Sequence, residues 1–309
     1  MQTTTLGRTG LTVSRMGMGA GGPSQIGKKT GLTESESADI LKKAFDAGVN
    51  FVDSSEGYGT EPIIGQAIQG RDRSSIVIST KKSTRRKEVT PQTLEESLHQ
   101  SLQRLGTDYI DVYNLHGVVP QDYDYLVSDV YPSLRKAQEA GKIRFIAVSE
   151  MFNEDMTHTM LRKGLQDDLW DVVMVGFNIL NQTAREAVFQ KAIENNVGVQ
   201  IMFAVRKALS RPEHIKDFVA DLIEKGQIDP EDVDRENPLG FLEASAVSLP
   251  DAAYRFCREE PGVHVVLSGT GNPDHLVANL KSFDRAPLPE ADVERLKHIF
   301  RNVDSTTGQ

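Results

Sequence analysis

Short runs of apolar, β-branched residues alternate along this chain with longer amphipathic stretches. The runs at Arg15–Gly19, Asn50–Ser55, Ser75–Lys81, Tyr109–His116, Ile143–Ser149, Asp171–Phe177, Gly198–Phe203 and Val263–Gly269 read as eight strands. Most are apolar at successive positions, as in Ile76-Val77-Ile78 and Val172-Val173-Met174-Val175, the pattern of strands buried on both faces. Between them, Glu34–Ala47 sets Ile40, Leu41, Ala44 and Phe45 on one helical face. Thr90–Leu105 opens with Thr-Pro at N-cap and N1, then stacks Leu94, Leu98, Leu102 and Leu105. Helices are also expected at 60–70, 129–140, 153–166, 184–196, 250–260 and 273–283, with one more over 289–303. Eight strand–helix units in 309 residues is the count of a (β/α)8 TIM barrel, although an open doubly wound sheet carries a similar alternation.

Three segments stand outside the alternation. Gln2–Leu6 and Leu11–Ser14 flank Gly7-Arg8-Thr9-Gly10, a β-hairpin signal, and such a hairpin could plug the bottom of a barrel. After the seventh strand, Ala204–Ser248 is long, charged and partly helical in pattern, so residues 205–248 are expected to cover the cleft at the barrel mouth. Asp304–Gln309 reads as a frayed tail. With no internal repeat, the whole of 1–309 reads as a single domain.

Composition narrows the function classes. Lys and Arg total 35 against 44 Asp and Glu, a net charge of -9 that speaks against general nucleic-acid binding. The single cysteine, Cys257, rules out an internal disulfide, and the other His residues (His99, His158, His214, His264, His298) lack metal-ligand spacing, so no metal is expected. No apolar run approaches the ~18–20 residues of a membrane span, and Met1–Gly10 lacks the apolar core of a signal peptide. A cytoplasmic chain with no nucleic-acid or membrane partner is the expectation.

Gly17-Met18-Gly19-Ala20-Gly21-Gly22 fits the GxGxxG spacing of dinucleotide-binding folds, but that motif must open a helix, and here Pro23-Ser24-Gln25 follows. It reads instead as a loop at the barrel mouth. The stronger signal lies at successive strand ends: Asp53 on the second strand with Tyr58 five residues on, Lys81 on the third, His116 on the fourth. In a barrel all strand C-termini open on one face, and neighbouring strands ~4.8 Å apart bring three such ends within roughly 10 Å. An acid, a phenol, an amine and an imidazole then meet.

Asp53-Ser54-Ser55-Glu56-Gly57-Tyr58-Gly59, Ser79-Thr80-Lys81 and Asn114-Leu115-His116 resemble the three catalytic motifs of aldo-keto reductases. So do the opening Leu6–Ser14 and the central Gly141–Ser149, while Gly269-Thr270-Gly271-Asn272-Pro273-Asp274-His275-Leu276 resembles the family's cofactor-phosphate segment. The resemblance runs in order from about residue 3 to residue 283. It implies a barrel holding an extended nicotinamide cofactor, NADP(H) first and NAD(H) as the alternative, and a carbonyl or alcohol substrate. Tyr58 would be the proton donor and His116 would orient the carbonyl oxygen. An unperturbed phenol near pKa 10 is a weak acid, and a Lys81 ammonium ~4 Å away would be worth about 4 kcal/mol at an effective dielectric near 20, drawing it toward neutrality. Asp53 would hold that amine.

Several positions depart from the family pattern. Ser149-Glu150 stands where relatives usually have Ser-Asn, and Met174 where they usually have Gln, so two grips on the nicotinamide carboxamide are altered. Met174 reads equally as core filling. Phe203 keeps an aromatic face for the nicotinamide ring. Ala204-Val205-Arg206 replaces the usual Ser-Pro-Leu, leaving Arg206 either on the pyrophosphate or solvated. Gly269 and His275 occupy positions where many relatives bind a 2′-phosphate through Lys and Arg; Thr270 keeps a hydroxyl and Asn279 matches an adenine contact. Beyond Lys81, the basic run to Lys87 reads as a solvated loop or as a site for an acidic substrate. The resemblance leaves two rivals: an NAD-linked sugar-type dehydrogenase, to which Tyr131–Leu134 through Ile146 has some likeness, and a non-catalytic nucleotide sensor on the same fold.

Overall fold

The computed structural model describes residues 1–85 and 89–309. Two short antiparallel strands come first, β1 (Thr3–Thr5) and β2 (Thr12–Ser14), paired Thr3 to Ser14 and Thr5 to Thr12. Eight parallel strands then close a barrel: β3 (Met16–Gly19), β4 (Phe51–Asp53), β5 (Val77–Ser83), β6 (Ile110–Val118), β7 (Ile143–Glu150), β8 (Val172–Gly176), β9 (Gly198–Met202) and β10 (Val265–Ser268). β10 pairs with both β9 and β3, which excludes the open sheet.

Side chains alternate in and out along each strand, and this parity decides which residues can reach the mouth. Phe51, Val77, Val112, Ala147, Val172 and Val265 form the apolar floor inside the barrel, where Leu6, Leu11 and Val13 of the hairpin pack against them. The hairpin is thus the plug that the Gly-containing loop suggested. Two residues further along their strands, the inward positions turn polar: Asp53, Ser79, Asn114 and Ser149, then Lys81 and His116 at the rim. The larger core lies between the outer strand faces and the helices, with Val52, Ile78, Ile146 and Val173 meeting Leu41, Leu98, Leu134 and Leu161.

Helices follow the expected pattern with ends shifted in either direction, most by a few residues, and the helix expected over 153–166 spans Thr159–Asp167. Glu34–Asp46 starts in a capping box between Thr33 and Glu36, and Pro91–Leu105 is capped by Thr90. The helix expected over 289–303 spans Glu290–Ile299. Within 205–248, Lys207–Ser210 and Pro212–Glu224 are helical. The latter part of this segment lies along the C-terminal helix, where Asp232 meets His298 and Arg301 and Ser245 meets Asp292.

The tail is not frayed. Asn181 Nδ2 donates to the Thr306 carbonyl at 3.1 Å, Asn178 Nδ2 to the Thr307 carbonyl at 3.2 Å, and the Ala208 amide to the Gly308 carbonyl at 2.9 Å. Partners this distant in sequence leave no local signal. Among the described residues, no helix is long and apolar enough to cross a membrane.

Candidate active site

The four strand-end residues meet as their positions implied. Lys81 Nζ donates to Asp53 Oδ2 at 2.5 Å and to the Ser54 carbonyl at 2.5 Å, and Asp53 Oδ1 accepts from Ser79 Oγ at 2.8 Å. Both charged groups are buried. Burial pushes the Asp53 carboxyl up and the Lys81 ammonium down, while their mutual attraction opposes both shifts.

Tyr58 lies above this pair with its ring centroid 5.6 Å from Lys81 Nζ and its hydroxyl 3.3 Å from His116 Nε2. Gly21 makes this packing possible: a Cβ there would fall 2.5 Å from the Tyr58 ring. Of the glycines in the run 17–22, it is Gly21 that the site requires. The other His116 nitrogen, Nδ1, is 3.2 Å from Ser55 Oγ, which is 3.4 Å from the Lys81 carbonyl. One proton arrangement satisfies all three contacts: Ser55 donates to the carbonyl, His116 Nδ1–H donates to Ser55, and the Tyr58 hydroxyl donates to Nε2. Burial, with the Lys81 and Arg85 charges, depresses His116 to about 3, so the ring is neutral at neutral pH. Glu56 anchors the Tyr58 loop by accepting from the Ser83 amide at 3.0 Å and from Lys82 and Ser97.

One expectation about the phenol is overturned. Tyr58 sits above its ordinary pKa rather than below it, because burial and then the Asp53 charge outweigh the favourable effect of Arg85. Lys81 is matched by Asp53 at hydrogen-bond distance, so it does not act on the phenol as an isolated cation.

The expected cofactor contacts divide into two groups. Gly269, Thr270, His275 and Asn279 line one cavity of about 750 Å³, together with Val205 and Ser248 from the two ends of the long segment. Asn279 Nδ2 donates to Ser268 Oγ at 2.8 Å, and Thr270 Oγ1 accepts from the Asn272 amide at 3.0 Å. A Cβ at Gly269 would come 2.8 Å from the Gly19 carbonyl oxygen, so this position has no room for a side chain. Gly271 packs against Gly27 instead of lining the cavity.

At the other end the sequence-based assignments need correction. Glu150 follows the inward-facing Ser149, so strand parity turns it to the outer side. There Glu150 Oε1 accepts from the Gly176 amide at 2.7 Å, and His158 Nδ1 stands 2.8 Å from Oε2. The carboxylate is enclosed and does not face the mouth. Met174 joins Phe152 and Met202 in an apolar cluster, with Phe203 packed against it. Phe203 is half-buried with one face covered: the Arg206 guanidinium carbon lies 3.5 Å from its ring centroid, and Phe152 stands beside it at 6.4 Å. Arg206 is half-buried and does not line the cavity; Asn153 Oδ1 at 2.7 Å and Thr307 Oγ1 at 2.5 Å hold it over that ring. Ala204 is buried beside it. Of the basic run, Lys82 pairs with Glu56, while Arg86 and Lys87 lie outside the described residues.

The arrangement suits an extended dinucleotide. Ser149 Oγ is buried without a hydrogen-bond partner among the described residues, at the inward position next to His116 in the β6–β7 register. Gly269 of the cavity packs against the Gly19 backbone, and Gly21 packs against Tyr58, whose hydroxyl reaches His116. Sequence reasoning passed over Ser55, which sits inside a quoted motif, and Gln200, a polar residue in the apolar run Val199–Met202. Both are buried at the inner end of the site.

A profile of the Aldo/keto reductase family matches residues 15–301. The chain is 25% identical over 332 residues to the NADH-specific methylglyoxal reductase of Escherichia coli (strain K12), covering 97% of this chain and 98% of that protein. It is 25% identical to the D-threo-aldose 1-dehydrogenase of Pseudomonas sp, over 87% of this chain and 89% of that one. The holo structure of aldo-keto reductase AKR11C1 from Bacillus halodurans matches with a TM-score of 0.74 at 22% identity, spanning 99% of this chain and 97% of that chain. That last likeness bears on the fold. With the barrel and every strand-end motif inside the matched span, this chain belongs to the aldo/keto reductase family and is an oxidoreductase.

Proposed function

We propose that this enzyme moves a hydride between a nicotinamide dinucleotide and a carbonyl or alcohol substrate at the barrel mouth, with Tyr58 handling the proton. The observation that carries this reading is the position of the phenol, 3.3 Å from His116 Nε2 and above a buried Lys81–Asp53 pair. The dinucleotide, when bound, gives or takes the hydride; the chain positions the reactants and moves the proton. Burial keeps Tyr58 protonated at neutral pH, the state required of a donor in reduction. As the proton leaves, the nearby Lys81 ammonium stabilises the charge growing on the phenol oxygen, and Asp53 keeps the amine from swinging away. His116, neutral and fixed through Ser55, holds the Tyr58 hydroxyl at the mouth by accepting from it at Nε2, and the hydroxyl turns its one proton from Nε2 to the carbonyl oxygen when a substrate is reduced. This differs from the grip on the substrate oxygen that the resemblance implied.

The likeness to a methylglyoxal reductase covers more of both chains than the likeness to an aldose dehydrogenase, so small aldehydes are the first substrate class to test. At the adenine end, Gly269 cannot carry a lysine, Asp274 stands beside His275, and Arg285 is tied to Asp251, which leaves His275 and Lys281 as the other basic side chains lining the cavity. With the position of Gly269 closed to a cation and Arg285 paired, NAD(H) is proposed to bind at least as well as NADP(H). The proton role is tested with Tyr58→Phe. Turnover of methylglyoxal should fall ~10²–10⁴-fold, with NADH affinity by fluorescence titration within a few-fold of the parent. Retention of half the parent kcat would remove Tyr58 from the mechanism.

A further inference from the structure

Gln200 is the least explained side chain in the barrel. It is fully buried on β9, and neither its amide nitrogen nor its amide oxygen has a hydrogen-bond partner among the described residues. Burying an amide with both ends unsatisfied is unfavourable unless another molecule completes it. Strand register places it. Gln200 lies opposite Met174 on β8 and opposite Val265 on β10, and Met174 lies opposite Ser149 on β7. Val265 belongs to the interior floor and Met174 to the cluster at the mouth, so Gln200 shares their inward face. At ~4.8 Å per strand, Ser149 and Gln200 have their backbones about 10 Å apart with Met174 between them. Ser149 Oγ, the other polar group on this arc, is likewise unpartnered.

We propose that Gln200 receives the nicotinamide carboxamide, supplying from β9 the side-chain amide that β8 lacks where Met174 stands. This rests on the nicotinamide reading above and names the residue that would hold the ring amide. A glutamine suits the task chemically. Its Oε1 accepts from the carboxamide N–H while its Nε2 donates to the carboxamide oxygen, so two primary amides satisfy each other in a cyclic pair. Met174 would line the space beneath the ring, and Ser149 would close the far side. Glu150, enclosed with His158, takes no part.

The test separates the nicotinamide from the rest of the dinucleotide. Gln200→Met keeps the length of the side chain and removes the amide. NADH should bind it roughly ten-fold or more weakly, the effect of two lost neutral hydrogen bonds, while ADP-ribose, which lacks the nicotinamide, should bind as in the parent. A second measurement needs no variant. The parent should bind 3-acetylpyridine adenine dinucleotide, which replaces the amide NH₂ with a methyl group, several-fold more weakly than NAD. Equal NADH binding by parent and variant, or no discrimination against the acetylpyridine analogue, would overturn the inference and leave the proposed function standing; Gln200 would then hold an ordered water. Equal losses for NADH and ADP-ribose would assign Gln200 a structural role and overturn it too. Failure of the parent itself to bind NADH or NADPH would overturn both readings.

Discussion

Replacing Glu150 with Asn distinguishes a structural carboxylate from a cofactor contact. At this position the family pattern has Asn, and a reading of the sequence alone expects the change to tighten cofactor binding. The geometry predicts the opposite outcome. Glu150 is 2% exposed and His158 0%, and the carboxylate accepts from the Gly176 amide while lying within 3.0 Å of His158 Nδ1 through both oxygens. Asn is one methylene shorter and cannot meet both partners from the same backbone position. Breaking a buried pair by removing one member costs about 3–5 kcal/mol, because the other is left uncompensated. Against a total stability of about 5–15 kcal/mol this is a large fraction. It corresponds to a fall in Tm of roughly 5–8 °C for a chain of this size. Urea denaturation followed by circular dichroism measures the loss, and a double-mutant cycle with His158→Gln isolates the part that belongs to the pair. NADH affinity of the folded fraction should stay within a few-fold of the parent, since the carboxylate does not face the mouth. A variant as stable as the parent that binds NADH more tightly would refute the reasoning and restore Glu150 to the cofactor site.

Two further perturbations bear on the site and its support. Lys81→Met leaves the buried Asp53 carboxylate unpaired, so turnover should collapse and stability fall by about 3 kcal/mol or more at neutral pH. The stability loss should shrink as falling pH protonates Asp53, and the double variant Asp53→Asn/Lys81→Met should recover part of it; equal losses at pH 5 and pH 8 would count against the pairing. Burial holds His264 down from the usual 6.5 to about 4 while its Nδ1 accepts from the Val199 amide. A histidine depressed in the folded state contributes stability above the unfolded pKa and loses it as pH falls from 6.5 toward 4, here up to about 3 kcal/mol. The urea midpoint of the parent should therefore drop more steeply over that range than that of His264→Gln, and parallel profiles would argue against it.

Much of this molecule was legible along the chain because the relevant physics is local. The alternation of apolar runs and amphipathic stretches follows from the two side-chain periods, and it placed eight strands and most helices within a few residues of their observed bounds. Asp53, Lys81 and His116 could be grouped because closing a barrel brings every strand's C-terminal end to one face. The plug was legible too, from Gly7 and Gly10 between two short β-forming flanks.

What escaped the sequence depends on which way a side chain faces and what meets it there. Glu150 occupies a position whose family counterpart touches the cofactor, yet it turns outward because it follows Ser149 by one residue, and its partner His158 is supplied by the loop after β7. Arg206 has the charge for a phosphate, but Asn153 and Thr307 hold it on Phe203. The tail looked free because its tethers, Asn178 and Asn181, lie more than a hundred residues earlier. The Tyr58 phenol moved up rather than down because desolvation depends on everything packed around it, and sequence spacing conveys only the presence of Lys81. The sequence by itself therefore determined the eight strand–helix units, the hairpin and the chemical types at the strand ends, since each rests on a short-range period or turn signal, while closure of the sheet into a barrel was decided where β10 pairs with both β9 and β3. The tertiary structure alone decided which polar groups are spent on one another, as in Glu150 with His158, and which remain unpaired in the interior, as in Ser149 and Gln200, because hydrogen-bond satisfaction is settled among residues far apart in the chain.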